Sequence, residues 1–168
     1  MKLFLIGMMG TGKSHWAKYL SKKVKSGCYD LDYLVETSEE KTISEIFAED
    51  GEDYFRKTEA KVLRWFGEKK TYVLAAGGGT PCYHDNMEWM NKQGITIWID
   101  EPVETLVERA KQQIEHRPAI KGLSDAEIVQ LFEKRLAERH QFYSQAQYHL
   151  AGADITEKAF LKIVKEHA

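Results

Sequence analysis

Leu3-Phe4-Leu5-Ile6-Gly7-Met8-Met9-Gly10-Thr11-Gly12-Lys13-Ser14 is the stretch that decides the fold. Four apolar residues stopped by a glycine read as a buried strand. From Lys13 the pattern turns helical, with Trp16, Leu20 and Val24 at intervals of four. Between them, Gly7 to Ser14 fits GxxxxGK[ST] in full, in the strand–loop–helix setting this motif requires. Glycines let backbone N–H groups turn inward around phosphate oxygens, and the helix N-terminus adds positive potential. Gly10, Thr11, Gly12, Lys13, Ser14 and His15 are therefore the expected nucleotide-binding run. Lys13 is expected to reach the β- and γ-phosphates, and the Ser14 hydroxyl to ligate Mg²⁺. The plainer alternative is a glycine turn joining a strand to a helix, but both flanks favour phosphate binding.

Outward from this loop, Ser26-Gly27 is expected to end the first helix and Cys28-Tyr29 to begin a second short strand. Residues 31 to about 66 look mainly helical, with Ile43, Ile46 and Phe47 on one apolar face, a break at Gly51, and a second helix carrying Ala60 and Leu63. Tyr72–Ala75 and Ile95–Ile99 read as further strands, the latter rich in β-branched residues. Asn86 to Asn91 looks helical, and Pro102 suits the first turn of a helix running to about Lys111. Residues 111–123 are polar, lack helical periodicity and read as a mobile loop. Ser124 and Glu127 have capping-box spacing at the start of a long helix, and a last helix is expected from about Thr156. Strands alternating with helices argue an α/β fold, a parallel sheet with helices on both faces.

The 168 residues suit a single domain, with 43% hydrophobic and 30% charged residues. A net charge of -2 without a basic run argues against a nucleic-acid binder. Cys28 and Cys82 make neither a disulfide framework nor a CxxC zinc pair. The N-terminal apolar run is too short for a signal peptide or a membrane span, so a cytoplasmic location is expected. The six histidines lack ligand spacing, and the four tryptophans read as core or edge packing.

Asp30 and Asp32 fall where the second strand should end, on the ligand side of such a sheet. On an extended segment, residues two apart point the same way. One carboxylate could then support Mg²⁺ and the other orient an attacking hydroxyl or take its proton. Simple helix capping is the competing explanation. Arg56 and Glu59, three apart on a helix, form either a surface ion pair or a fixed guanidinium fork for a substrate carboxylate. Gly77-Gly78-Gly79 makes sense where a substrate lies against bare backbone, though a plain loop would serve equally. Arg117-Pro118 would carry positive charge to the γ-phosphate from the polar loop. Arg139, near the end of the long helix, says nothing alone.

Taken in order, these motifs resemble the shikimate kinase family: the phosphate loop, Asp30-x-Asp32, Gly51-Glu-x-x-Phe-Arg56-x-x-Glu59, the glycine triplet, Arg117-Pro118 and Arg139-His-Gln-Phe-Tyr-Ser-Gln-Ala146. The resemblance spans roughly residues 2–146. It implies a five-stranded sheet in the order 2-3-1-4-5, a usually monomeric enzyme, and ATP and shikimate as ligands. Asp30 and Ser14 would support Mg²⁺, and Asp32 would contact shikimate hydroxyls. Arg56 and Arg139 would hold the shikimate carboxylate, with Gly78 and Gly79 lining the pocket. Arg117 would reach the ATP phosphates, and Arg109 would lie against adenine. A substrate-binding segment of about 31–61 and a lid of about 111–124 follow from the same likeness. The chain departs from the family in Ala119-Ile120 after the lid proline, in His15-Trp16, and in the segment near Gly152 to Asp154 on the adenine side. Lys13, Asp32 and Arg117 are the expected catalytic residues of a shikimate kinase. A kinase of another small hydroxy acid, such as gluconate, and a nucleotide-binding regulator without turnover are the alternatives; the regulator would be expected to lack Lys13, Asp32 or the arginines.

Overall fold

In the three central strands each apolar residue serves one of two cores, which is why those runs are near-continuous rather than alternating with polar residues. A computed structural model describes residues 1–114, 117 and 119–168. In β1 (Lys2–Ile6), Leu3 and Leu5 point to one face while Phe4 and Ile6 point to the other. β3 (Tyr72–Ala75) and β4 (Ile95–Asp100) divide in the same way. With β2 (Gly27–Asp30) and β5 (Tyr148–Ala151) they form one all-parallel sheet in the order β2-β3-β1-β4-β5, as the resemblance implied.

Helix α1 (Lys13–Val24) and helix α8 (Glu157–Glu166) cover one face, where Trp16 packs on Phe160 with ring centroids 4.5 Å apart. The other face is covered by α2 (Leu31–Glu39), α4 (Glu52–Phe66), α5 (Asn86–Gln93), α6 (Val103–Gln112) and α7 (Asp125–Tyr143). The short α3 (Ile43–Glu49) bridges α2 and α4. The chain passes from β3 to β4 across β1, so the crevice beyond β1 is the switch point at which ligands bind in such sheets.

Several expectations shift. α1 ends at Val24 with Lys25 in the left-handed region, and Gly27 joins β2 instead of ending the helix. Asp32 lies in the first turn of α2, not on an extended segment. Trp65 is 68% exposed and not packed as expected, because the buried stripe of α4 runs through Phe55, Glu59, Leu63 and Phe66 and leaves Trp65 outside it. Of the apolar face assigned to α3, Ile46 is fully buried while Phe47 is partly exposed. Among the described residues of the expected loop, Ile120 is fully buried; Pro118 lies outside the described residues.

Candidate active site

The phosphate loop takes its shape from glycine. Gly10 and Gly12 adopt φ of 84° and 90°, in the region that side chains disfavour. Lys13 donates from Nζ to the carbonyls of Gly7 and Met8, each at 2.8 Å. Burial lowers the Lys13 pKa to about 8, against the pull of Asp32 and Asp30. Thr11 turns inward and donates to the Met8 carbonyl at 3.0 Å, so its side chain braces the loop.

Asp30 caps the helix and also faces the phosphate loop. One oxygen caps α2 by accepting from the Tyr33 N–H at 3.3 Å, and the other accepts from the Ser14 hydroxyl at 2.9 Å. Asp32 reaches the same cavity from the helix turn. Burial raises its pKa to about 6, aided by the charges of Asp30 and Glu59 and opposed by Lys13 and Arg56.

Two cavities meet here. The first, about 490 Å³, is lined by Gly10, Gly12, Lys13, Ser14, His15, Asp30, Arg109 and Arg117. Arg109 donates to the Gly10 carbonyl at 2.7 Å, and Arg117 lies 3.2 Å from the Met9 sulfur and 3.0 Å from Gln113 Oε1. The second, about 1000 Å³, contains Arg56, Glu59, Gly79 and Arg139. Met9, Asp32, Gly77 and Gly78 border both cavities.

The Arg56–Glu59 pair is not a surface ion pair. It closes at 3.1 Å with the Glu59 side chain 1% exposed, and the guanidinium sits 4.2 Å from the centre of the Tyr83 ring. The glycine triplet is explained by close approach. A Cβ on Gly79 would stand 2.5 Å from Arg56 Nη2, and one on Gly78 would stand 2.9 Å from Arg139 Nη1. The guanidinium groups occupy the space that side chains would have filled. Tyr143 fixes this turn by donating to the Gly78 carbonyl.

Phe47, Cys82, Tyr83 and Arg135 also line the second cavity, and Gln112 and Gln113 the first. None of them stood out in the sequence. Phe47 reads as core, and Tyr83 and Cys82 sit in a turn without a motif. Arg135, one helical turn before Arg139, is the one a helix-face reading could have found.

A family model described as shikimate kinase matches residues 9–168. The chain belongs to the shikimate kinase family. The shikimate kinase of Flavobacterium psychrophilum is 40% identical over 167 residues, covering 98% of this chain and 95% of its own. The crystal structure of the Bacteroides thetaiotaomicron shikimate kinase superposes with a TM-score of 0.87 at 34% identity, covering 99% of this chain and 96% of that one. The Acinetobacter baumannii shikimate kinase, solved in complex with shikimate, gives a TM-score of 0.85 at 28% identity and covers 99% of this chain and 92% of its own. The family's five-stranded parallel fold is the one found here.

Proposed function

We propose that the chain transfers the γ-phosphoryl group of ATP to the 3-hydroxyl of shikimate, giving shikimate 3-phosphate and ADP on the route to aromatic amino acids. The observation that carries this reading is the position of Asp32. It stands in the wall common to a phosphate-loop cavity and a cavity holding two arginines. The likeness to a shikimate kinase solved with shikimate supports the choice of acceptor.

Arg56 and Arg139 bind the acceptor's carboxylate, and Gly78 and Gly79 leave room for those arginines beside its ring. Asp32 orients the hydroxyl and accepts its proton as the oxygen bonds to the γ-phosphorus and the bond to the ADP oxygen breaks. A carboxylate with a pKa of about 6 is a stronger base than an ordinary aspartate and is still ionised at neutral pH. Lys13 and Arg117 offset charge on the transferring group. Gly10, Gly12 and the backbone around Ser14 and His15 cradle the phosphates, and Arg109 flanks the base. The Ser14 hydroxyl and Asp30 carboxylate form a pair of hard oxygens that fits Mg²⁺, and these residues would hold it. Bound there, the ion supplies charge neutralisation at the phosphate oxygens.

The 168 residues act as one domain and as a monomer, with 31–61 as the acceptor segment and 111–124 as the lid. Among the described residues no helix is long and apolar enough to cross a membrane, which accords with a cytoplasmic enzyme.

ADP release from Mg-ATP, followed in a coupled assay with and without shikimate, tests the proposal. Release is expected to depend on shikimate. Equal release without it, or with gluconate in its place, removes the acceptor assignment.

A further inference from the structure

Thr80 follows the glycine triplet and carries no motif of its own, yet it is fully buried, as are Glu59 and Asn86. These three polar residues form a continuous path. The Asn86 amide donates to the Thr80 carbonyl at 2.9 Å. The Thr80 hydroxyl donates to Glu59 Oε2 at 2.8 Å, and Arg56 donates to the other Glu59 oxygen at 3.1 Å. Arg64, two turns along α4 from Arg56, closes the far end by donating to Asn86 Oδ1 at 2.7 Å and to the His84 carbonyl at 2.6 Å. Both Glu59 oxygens are thus committed, one to the guanidinium and one to the hydroxyl.

We propose that Thr80 is a positioning residue for acceptor binding. Its hydroxyl fixes Glu59, Glu59 fixes the fork of Arg56, and Asn86 anchors the turn that carries Thr80. This rests on the reading that Arg56 holds the acceptor's carboxylate. A fork held on one edge by a rigid carboxylate presents its other edge in a single orientation, so that less ordering remains when the substrate arrives. Without the Thr80 hydroxyl, Glu59 Oε2 has a buried lone pair with no donor and the carboxylate is held by Arg56 alone.

The charges facing Glu59 define a second signature. Arg56 faces it from its own helix, Arg139 from α7, and Asp32 from α2. Burial pushes the Glu59 carboxyl up, while Arg56 and the Thr80 hydroxyl hold it down. Deleting the hydroxyl removes one restraint, so Glu59 takes up its proton at a higher pH than in the parent and releases Arg56 sooner as pH falls.

Steady-state kinetics of Thr80→Val, Thr80→Ser and Thr80→Ala test this, with the parent in the same assay. The expected result is a rise of about tenfold in the KM for shikimate in the Val and Ala variants, the scale of one unsatisfied buried acceptor. Their kcat and KM for ATP should stay within about twofold, and Ser should restore the parent value. The KM for shikimate should also begin to climb at a higher pH in Thr80→Val than in the parent as the solution is acidified. An unchanged KM in the folded Val or Ala variant overturns the role of Thr80 alone. So does an equal loss in both substrates' KM together with kcat, which marks a merely structural residue. Ala adds no bulk, so it decides the matter if Val does not fold. A parent without shikimate-dependent turnover overturns both this inference and the acceptor assignment.

Discussion

At the scale of the residue, the site works by leaving atoms out as much as by putting them in. Gly79 has an ordinary φ of -92°, so its lack of a side chain is not a matter of backbone strain. What a Cβ would meet is the Arg56 guanidinium, the far end of a flexible chain. Gly79→Ala should therefore push Arg56 off Glu59 and Tyr83, and leaving the buried Glu59 carboxylate short of its charged partner should lower stability as well. Losing a well-placed hydrogen bond to a charged group costs roughly 1.5–3 kcal/mol. The KM for shikimate should accordingly rise about ten- to a hundredfold, with ATP binding unchanged. Calorimetric titration with each ligand checks this, and equal shikimate affinity in the variant would contradict it. The same geometry shows why the triplet was only half legible. Sequence indicates that bare backbone is wanted, but not that the protein's own arginines are what approach it.

At the scale of the element, α7 carries Arg139 to the second cavity and Tyr143 to the Gly78 carbonyl, and begins with a capping box. The Ser124 side chain accepts from Glu127 N–H at 3.2 Å, and Glu127 Oε1 accepts from Ser124 N–H at 3.1 Å. Ser124→Ala should cost about 1 kcal/mol. That corresponds to a fall of roughly 2–4 °C in the melting temperature of a chain this size. Arg139 sits about four turns further on, so the KM for shikimate should not change. A thermal melt beside a kinetic run checks both. This helix start was legible because a cap is a local pattern, its two partners three positions apart. The phosphate loop was legible for the same reason, with loop and helix contiguous in the chain. The acceptor side is assembled from α3, α4, the turn after β3 and α7. Phe47, Thr80 and Asn86 become part of it only by folding, since each alone reads as ordinary core or turn. Asp32 was placed correctly for an incorrect reason: the turn into α2, not strand alternation, brings it beside Asp30.

At the scale of the whole molecule, the two cavities are joined electrically as well as sterically, through Lys13, Asp32, Glu59 and Arg56. For the free enzyme, kcat/KM should be bell-shaped. As the proposed base, Asp32 must be ionised, so activity should fall as pH drops through about 6. As the proposed phosphate ligand, Lys13 must be charged, so activity should also fall as pH rises through about 8. Phosphates bound at Lys13 favour its charged form, which moves the basic limb of kcat above that of kcat/KM. Asp32→Asn should lower kcat strongly and abolish the acid limb of kcat while ATP still binds, leaving only the rise in KM for shikimate that follows protonation of Glu59. An acid limb of kcat that persists in that variant would assign it to another group. The wall of Met9, Asp32, Gly77 and Gly78 has a further consequence for chemistry brought from outside. A single molecule carrying an adenine nucleotide at one end and an acidic ring at the other would pass these four shared residues. A short tether would let it occupy both chambers at once, so that the second contact is made at the high local concentration the first one creates.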